Sequence, residues 1–171
     1  MSNKAFTLVE IIVALVIISL TATIVTINTG GPLNDANWSD AISRIERADQ
    51  FVRTYTENTA QPININIDLS ENRIFFTDVG DQKKVGRIIK FPSGIRIAKL
   101  LVKGQALTGG VMPIRCSKAS LTPTYAILVL GPNGRQVWLL IAGLSGQITE
   151  FENEEQIEKV WNQAILRGNA S

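Results

Sequence analysis

Glu10 is a carboxylate set inside an otherwise apolar run, FTLVEIIVALVIISLTATIVTI, that extends from Phe6 to Ile27. Moving such a group to the middle of a hydrocarbon layer costs ~2.5–3.5 kcal/mol on insertion scales, and less near the end of a span. Two arrangements relieve that cost. The side chain can reach back to polar headgroups, or it can meet a cation inside an apolar assembly. In the second case, removing either partner costs roughly 3–5 kcal/mol. The chemistry open to Glu10 is therefore pairing rather than turnover. The chain has no histidine, so the usual proton shuttle near neutral pH and the commonest transition-metal ligand are both missing. Cys116 is the single cysteine and cannot form an intramolecular disulfide. No catalytic residue, metal site or cofactor is expected.

Three other clusters have the residue types of a site. Gly143-Leu144-Ser145-Gly146 looks like a nucleophile elbow, but its second glycine comes one position early and no histidine exists to activate the serine, so a turn is expected. Asp78, Gly80 and Asp81 could turn oxygens toward calcium, yet two acidic residues fall short of the ~6–8 ligands that ion takes. Lys83, Lys84 and Arg87 form a small basic cluster that reads as a solvated face. Glu150, Glu152, Glu154, Glu155 and Glu158 would repel phosphate, and 17 Lys and Arg against 15 Asp and Glu give no global field, so a nucleic-acid partner is not expected.

The element that holds Glu10 sets the class. No charged residue occurs between Ile11 and Asn34. The 22 residues from Phe6 to Ile27 would make a helix of roughly 33 Å, against a hydrocarbon core of about 30 Å. A buried core helix seldom opens a chain and seldom lacks a polar face. A secretory signal would be cut near Ser19-Leu20-Thr21 or Thr21-Ala22-Thr23, but its apolar region runs ~7–15 residues, shorter than this one. Lys4 and the initiator amine precede the run, which places the N-terminus in the cytoplasm and the bulk of the chain outside.

Ala5-Phe6-Thr7-Leu8-Val9-Glu10, behind a short basic leader and ahead of a long apolar helix, closely resembles the cleavage and methylation motif of type IV prepilins. The resemblance implies that a prepilin peptidase cuts between Ala5 and Phe6 and methylates the new amine of Phe6. Ala5 stands where most members have glycine, a small-for-small exchange. Glu10 is the family's glutamate at the fifth mature position. Pairing with the Phe6 amine of a neighbouring subunit would supply its cation and set the axial register between subunits. Residues 1–5 then form the leader, 6–29 the transmembrane and filament-core helix, 30–61 a hinge and amphipathic helix, and 62–171 a periplasmic β-rich domain. The implied setting is the bacterial inner membrane, crossed once, with incorporation into a pseudopilus or pilus. The implied partners are other pilins or pseudopilins through the N-terminal helix, the prepilin peptidase and an inner-membrane assembly platform.

Past the hinge at Gly30-Gly31-Pro32, Trp38, Ile42, Ile45, Ala48, Val52 and Tyr55 recur at helical steps, a core-facing stripe from about Asp35 to Asn58. Ile63, Ile65, Ile67 and Leu69 then alternate with Asn64, Asn66 and Asp68, as in a half-buried strand. Turns at Ser70–Asn72, Gly80-Asp81 and Phe91–Gly94 separate strands near 73–78, 85–91 and 95–102. The stretch from Gly104 to Thr122 reads as a loop or edge region. Apolar runs at 125–130 and 136–142 flank Gly131-Pro132-Asn133-Gly134, a strong hairpin signal, and a turn at 143–146 feeds 147–151. A last helix, about Glu154 to Leu166, puts Ile157, Val160, Trp161 and Ile165 on one face.

The fold class is α+β: a long N-terminal hydrophobic helix, an antiparallel sheet or sandwich, and a short C-terminal helix. Phe91-Pro92-Ser93-Gly94-Ile95 and the closing strands from Tyr125 to Ile148 resemble the pseudopilin H family of type II secretion and the related FimT-type minor pilins. That resemblance implies a structural, non-enzymatic subunit of a secretion pseudopilus; the alternative is a minor type IV pilin in pilus assembly or DNA uptake. A membrane-tethered enzyme using Ser-Lys or carboxylate chemistry is the third class. The expected mature protein from native membranes begins at Phe6 and carries a methylated amine. N-terminal sequencing and intact mass check this, and a start near Ala22 or Thr23 would sink the prepilin reading.

Overall fold

The structure of the protein, a computed structural model, describes residues 12, 15, 30–102 and 104–168. Ala5, Phe6, Glu10 and the rest of the apolar run apart from Ile12 and Leu15 lie outside the described residues. Ile12 and Leu15 are helical and exposed. No described helix is long and apolar enough to cross a membrane. The chain divides into two compact units, 1–37 and 38–171.

Helix α1 spans Gly30–Thr59, and its residues from Trp38 onward belong to the second unit. Gly30-Gly31-Pro32 stand in its first turn rather than ahead of it. Proline loses nothing there, because the first amides of a helix have no acceptor within it. The expected stripe forms: Trp38, Ala41, Ile45, Ala48 and Val52 are buried, with Ile42 and Tyr55 packed at its margin. Two polar residues, Asp49 and Thr56, are buried beside it.

The strands form two antiparallel sheets. The first, in the order β3-β2-β1-β6, contains β1 (Ile63–Asp68), β2 (Arg73–Asp78), β3 (Lys84–Lys90) and β6 (Val111–Cys116). The second, β5-β4-β7-β8-β9, contains β4 (Arg96–Val102), β5 (Gln105–Leu107), β7 (Tyr125–Leu130), β8 (Gln136–Ile141) and β9 (Ile148–Phe151). Ile63, Ile65, Ile67, Ile74 and Ile114 from the first sheet share one core with Ile127, Val129, Leu139 and Ile141 from the second and with the α1 stripe. The β7–β8 hairpin turns at Asn133 and Gly134, both with positive φ.

β1 departs from its expected half-burial, since all six of its residues are buried. It is paired on both sides, and its polar face closes over itself. Asn66 Nδ2 donates to Thr77 Oγ1 at 3.0 Å, and Asp68 accepts from Arg73 Nε at 3.1 Å. The stretch expected as loop or edge holds β5 and a full edge strand, β6, which pairs with β1 from Val111 to Cys116. Pro113 interrupts its propensity, but an edge strand tolerates a missing N–H.

Helix α2 (Glu154–Gly168) covers the outer face of the second sheet, where Ile157 is buried against Leu101, Ala126, Trp138 and Leu140. Its start is fixed locally: the Asn153 side chain accepts from Gln156 N–H at 3.1 Å, and the Gln156 side chain accepts from Glu152 N–H at 3.1 Å. Lys99 Nζ donates to both carboxylate oxygens of Glu154, at 2.7 and 2.8 Å. Trp161 joins the buried face, whereas Val160 is exposed, because the face centred on Ile157 continues at the fourth residue and the third swings to its margin. The side chain of Ile165 is outside the described set. A fragment comprising 33–171 is expected to melt in one cooperative transition as a soluble protein, since α1 and both sheets share one core. A non-cooperative thermal profile would refute that.

Candidate functional site

The cleavage residues Ala5 and Phe6 and the carboxylate Glu10 lie outside the described residues. Within the domain, the structure assembles a polar centre that sequence reasoning missed. Asp49 follows Ala48 on the inner face of α1 and is 1% exposed. Its Oδ2 accepts from Arg53 Nε at 2.6 Å, and its Oδ1 accepts from the Tyr125 hydroxyl at 3.1 Å. Arg53 spends its remaining donors on loop backbone and a hydroxyl: Nη1 on Ser120 O at 2.9 Å, Nη2 on Thr122 Oγ1 at 3.0 Å and on Gly143 O at 3.1 Å. The Ser120 hydroxyl donates back to Arg53 O at 3.3 Å. One guanidinium thus ties α1 to the β6–β7 and β8–β9 connections.

The same centre accounts for the Gly143–Gly146 motif. A Cβ on Gly146 would stand 2.8 Å from Arg53 Nε and 3.0 Å from Asp49 Oδ2, at a φ of +69° that favours glycine. A Cβ on Gly143 would collide with the Thr122 carbonyl. Ser145 Oγ accepts from Gln147 N–H at 3.2 Å, a turn contact. The motif is a loop closed on an ion pair.

The other candidates resolve locally. Asp78 Oδ1 accepts from the amides of Gly80 and Asp81, at 2.6 and 3.3 Å, so its oxygen caps a turn. No group of His, Cys, Asp and Glu among the described residues could hold a metal ion. Lys83, Lys84 and Arg87 are all exposed on or beside β3. Cys116 is a buried free thiol that accepts from Thr56 Oγ1 at 3.6 Å. Every buried side-chain nitrogen and oxygen among the described residues has a hydrogen-bond partner.

Arg53→Met should destabilise the domain by about 3–5 kcal/mol in denaturant titration, because it leaves Asp49 buried without its cation. Gly146→Ala should cost at least about 1 kcal/mol through its φ and the crowding of Arg53. The pH dependence has a definite sign. Burial, then the Asp49 charge, hold the Tyr125 hydroxyl well above the ordinary phenol value, and burial raises the Cys116 thiol. Groups raised in the folded state stabilise it fully below their unfolded values, ~10 for Tyr and ~8.5 for Cys, and lose that contribution as pH climbs through the folded values. Stability should therefore fall above about pH 9, and Tyr125→Phe should flatten the part above about pH 10. An unchanged alkaline profile in Tyr125→Phe would refute the assignment.

The geometry can be set against known proteins. Residues 1–26 match the family model of the prokaryotic N-terminal methylation motif. No curated protein matches the sequence. Among solved structures, the minor pseudopilin EpsH from the type II secretion system of Vibrio cholerae superposes with a TM-score of 0.51 at 9% identity, covering 70% of this chain and 97% of that one. A second structure of the same EpsH gives 0.50 at 9% identity, covering 67% and 94%. At that identity the likeness is one of fold. This chain carries the prokaryotic N-terminal methylation motif at its head and, behind it, a domain with the fold of the minor pseudopilin EpsH.

Proposed function

We propose that this protein is a structural minor pseudopilin of a type II secretion pseudopilus, made as a membrane-anchored precursor and processed by a prepilin peptidase. The observation that carries the proposal is the joint occurrence of the methylation motif at residues 1–26 and the EpsH fold behind it. In this reading the peptidase cuts between Ala5 and Phe6 on the cytoplasmic side and methylates the Phe6 amine. The apolar helix anchors the subunit in the inner membrane with its domain in the periplasm. Assembly then transfers that helix into a filament beside those of other pseudopilins, with the inner-membrane platform driving the transfer. The motif alone would equally suit a minor type IV pilin of the FimT kind; the EpsH fold favours secretion.

Glu10 separates a filament subunit from a plain membrane anchor. With Glu10→Val the helix becomes more apolar, so insertion and processing persist, while a neighbour's Phe6 amine loses its counter-charge at a cost of several kcal/mol per contact. The expected result is a normal level in the inner membrane and loss from sheared filaments, measured side by side. Wild-type incorporation of Glu10→Val would defeat the pairing. Ala5→Leu should block processing, since the peptidase needs a small side chain beside the cut, and efficient cleavage of that variant would implicate a different protease.

A further inference from the structure

Among the described residues the two sheets end in the edge strands β3, β6, β5 and β9. An unpaired edge presents a row of N–H and C=O groups on which a further strand can add. β5 and β9 are short, three and four residues. β3 is longer but bulged: between the pairs Phe76↔Val85 and Ile74↔Ile89, Gly86, Arg87 and Ile88 oppose Phe75 alone. The bulge is held from within, because Gly86 has a φ of +71° and a Cβ on it would stand 2.9 Å from the Phe51 ring. Lys84, Arg87 and Lys90 are exposed along the same strand, a further hindrance to pairing.

β6 has none of these features. It runs six residues, pairs with β1 without a register shift, and carries one charged side chain, Arg115. What it has instead is Pro113 near its centre. Leu69 N–H donates to Gly110 O at 2.9 Å, which turns the backbone groups of the even-numbered residues that follow, 112, 114 and 116, toward β1. The backbone groups of Val111, Pro113 and Arg115 therefore face the open side, and all three residues are exposed. A strand added there in antiparallel pairing exchanges an N–H and a C=O with the outward residues. At Pro113 the N–H is replaced by a ring methylene, so that bond is lost and the ring stands where an incoming carbonyl would lie. We infer that Pro113 closes β6 to a second copy of the chain, and that it is the one feature of this edge that does so. A second copy is the partner to be kept out because it brings an identical strand. With 113 opposite 113, an antiparallel β6–β6 pair is isologous and sets Val111 against Arg115 on both sides, with no like charges opposed. The inference concerns the folded domain alone, and its outcome is independent of the filament reading.

The test uses the full-length protein in detergent micelles, as two differently tagged copies, one carrying Val111→Cys and the other Arg115→Cys. Both positions are exposed, while the native Cys116 is buried. With Pro113 in place, a short thiol crosslinker is expected to give few mixed-tag dimers. Pro113→Thr on both copies restores the N–H and should raise the yield several-fold. Pro113→Lys restores it too but sets two like charges opposite each other, and should leave the yield at its starting level. Abundant dimers with Pro113 in place, or no rise in a folded Pro113→Thr protein, overturn the inference. So does an equal rise with Pro113→Lys, which marks a loosened fold rather than a paired edge. Should Pro113→Thr fail to fold, amide hydrogen exchange of the wild-type protein decides. The amides of Val111 and Arg115 are expected to exchange many-fold faster than those of Met112 and Ile114, and protection of all four would show the edge already paired.

Discussion

The buried pair of Asp49 and Arg53 is the constraint on which the arrangement of the domain depends. Burying a carboxylate against the apolar face of a helix is unfavourable unless its charge and lone pairs are met, and here both oxygens are, by Arg53 and by Tyr125. Arg53, with its side chain 13% exposed, satisfies its own donors on the carbonyls of two loops. The first sheet meets the helix through apolar contacts such as Phe51 on Phe76 and through the hydrogen bond from Arg44 to Lys90 O. The second shares the same apolar core and adds the fork of Arg53 on the turn at Gly143. An ion pair so placed contributes fixed geometry more than net stability, since a well-packed apolar replacement often serves stability as well.

What the sequence made legible follows from periodicity. The stripe from Trp38 to Tyr55 and the alternation from Ile63 to Asp68 announced α1 and β1, and Asn133-Gly134 announced the closing hairpin. Periodicity names an element and the apolar half of its surroundings, and is silent about the other half. Asn64, Asn66 and Asp68 are polar residues that look solvated in a lone strand, and they are buried because neighbours on both sides close over them. Asp49 and Arg53 were illegible for a related reason. An Asp and Arg spaced i, i+4 on a helix normally mark an exposed face, and only the tertiary positions of Ser120, Thr122 and Gly143 show that this pair points inward. The glycines at 143 and 146 were the one trace of it, and their spacing resembled a catalytic turn more than the wall of an ion-pair site. β6 escaped because Pro113 sits in its middle, although Ile114 and Cys116 kept the alternation.

Asp49 and, on the proposed function, Glu10 pose one physical problem twice, a carboxylate amid apolar residues that requires a cation. Asp49 finds its cation four residues along the same helix. Glu10 has no such recourse, because from Phe6 to Ser43 the chain contains no lysine, arginine or histidine. If residues 1–5 are removed as proposed, Lys4 goes with them, and the only positive charge left in that stretch is the new amine of Phe6. In the proposed helix that amine would stand at the very end, so a subunit displaced axially by a few residues would bring its own amine level with the Glu10 of its neighbour. The domain solves its charge problem internally, whereas on the proposed function the N-terminal segment would leave its problem to be solved between subunits. On that proposal the chain would fold its domain without a partner and still require partners for the rest, a division suited to a subunit that waits in a membrane before it is assembled.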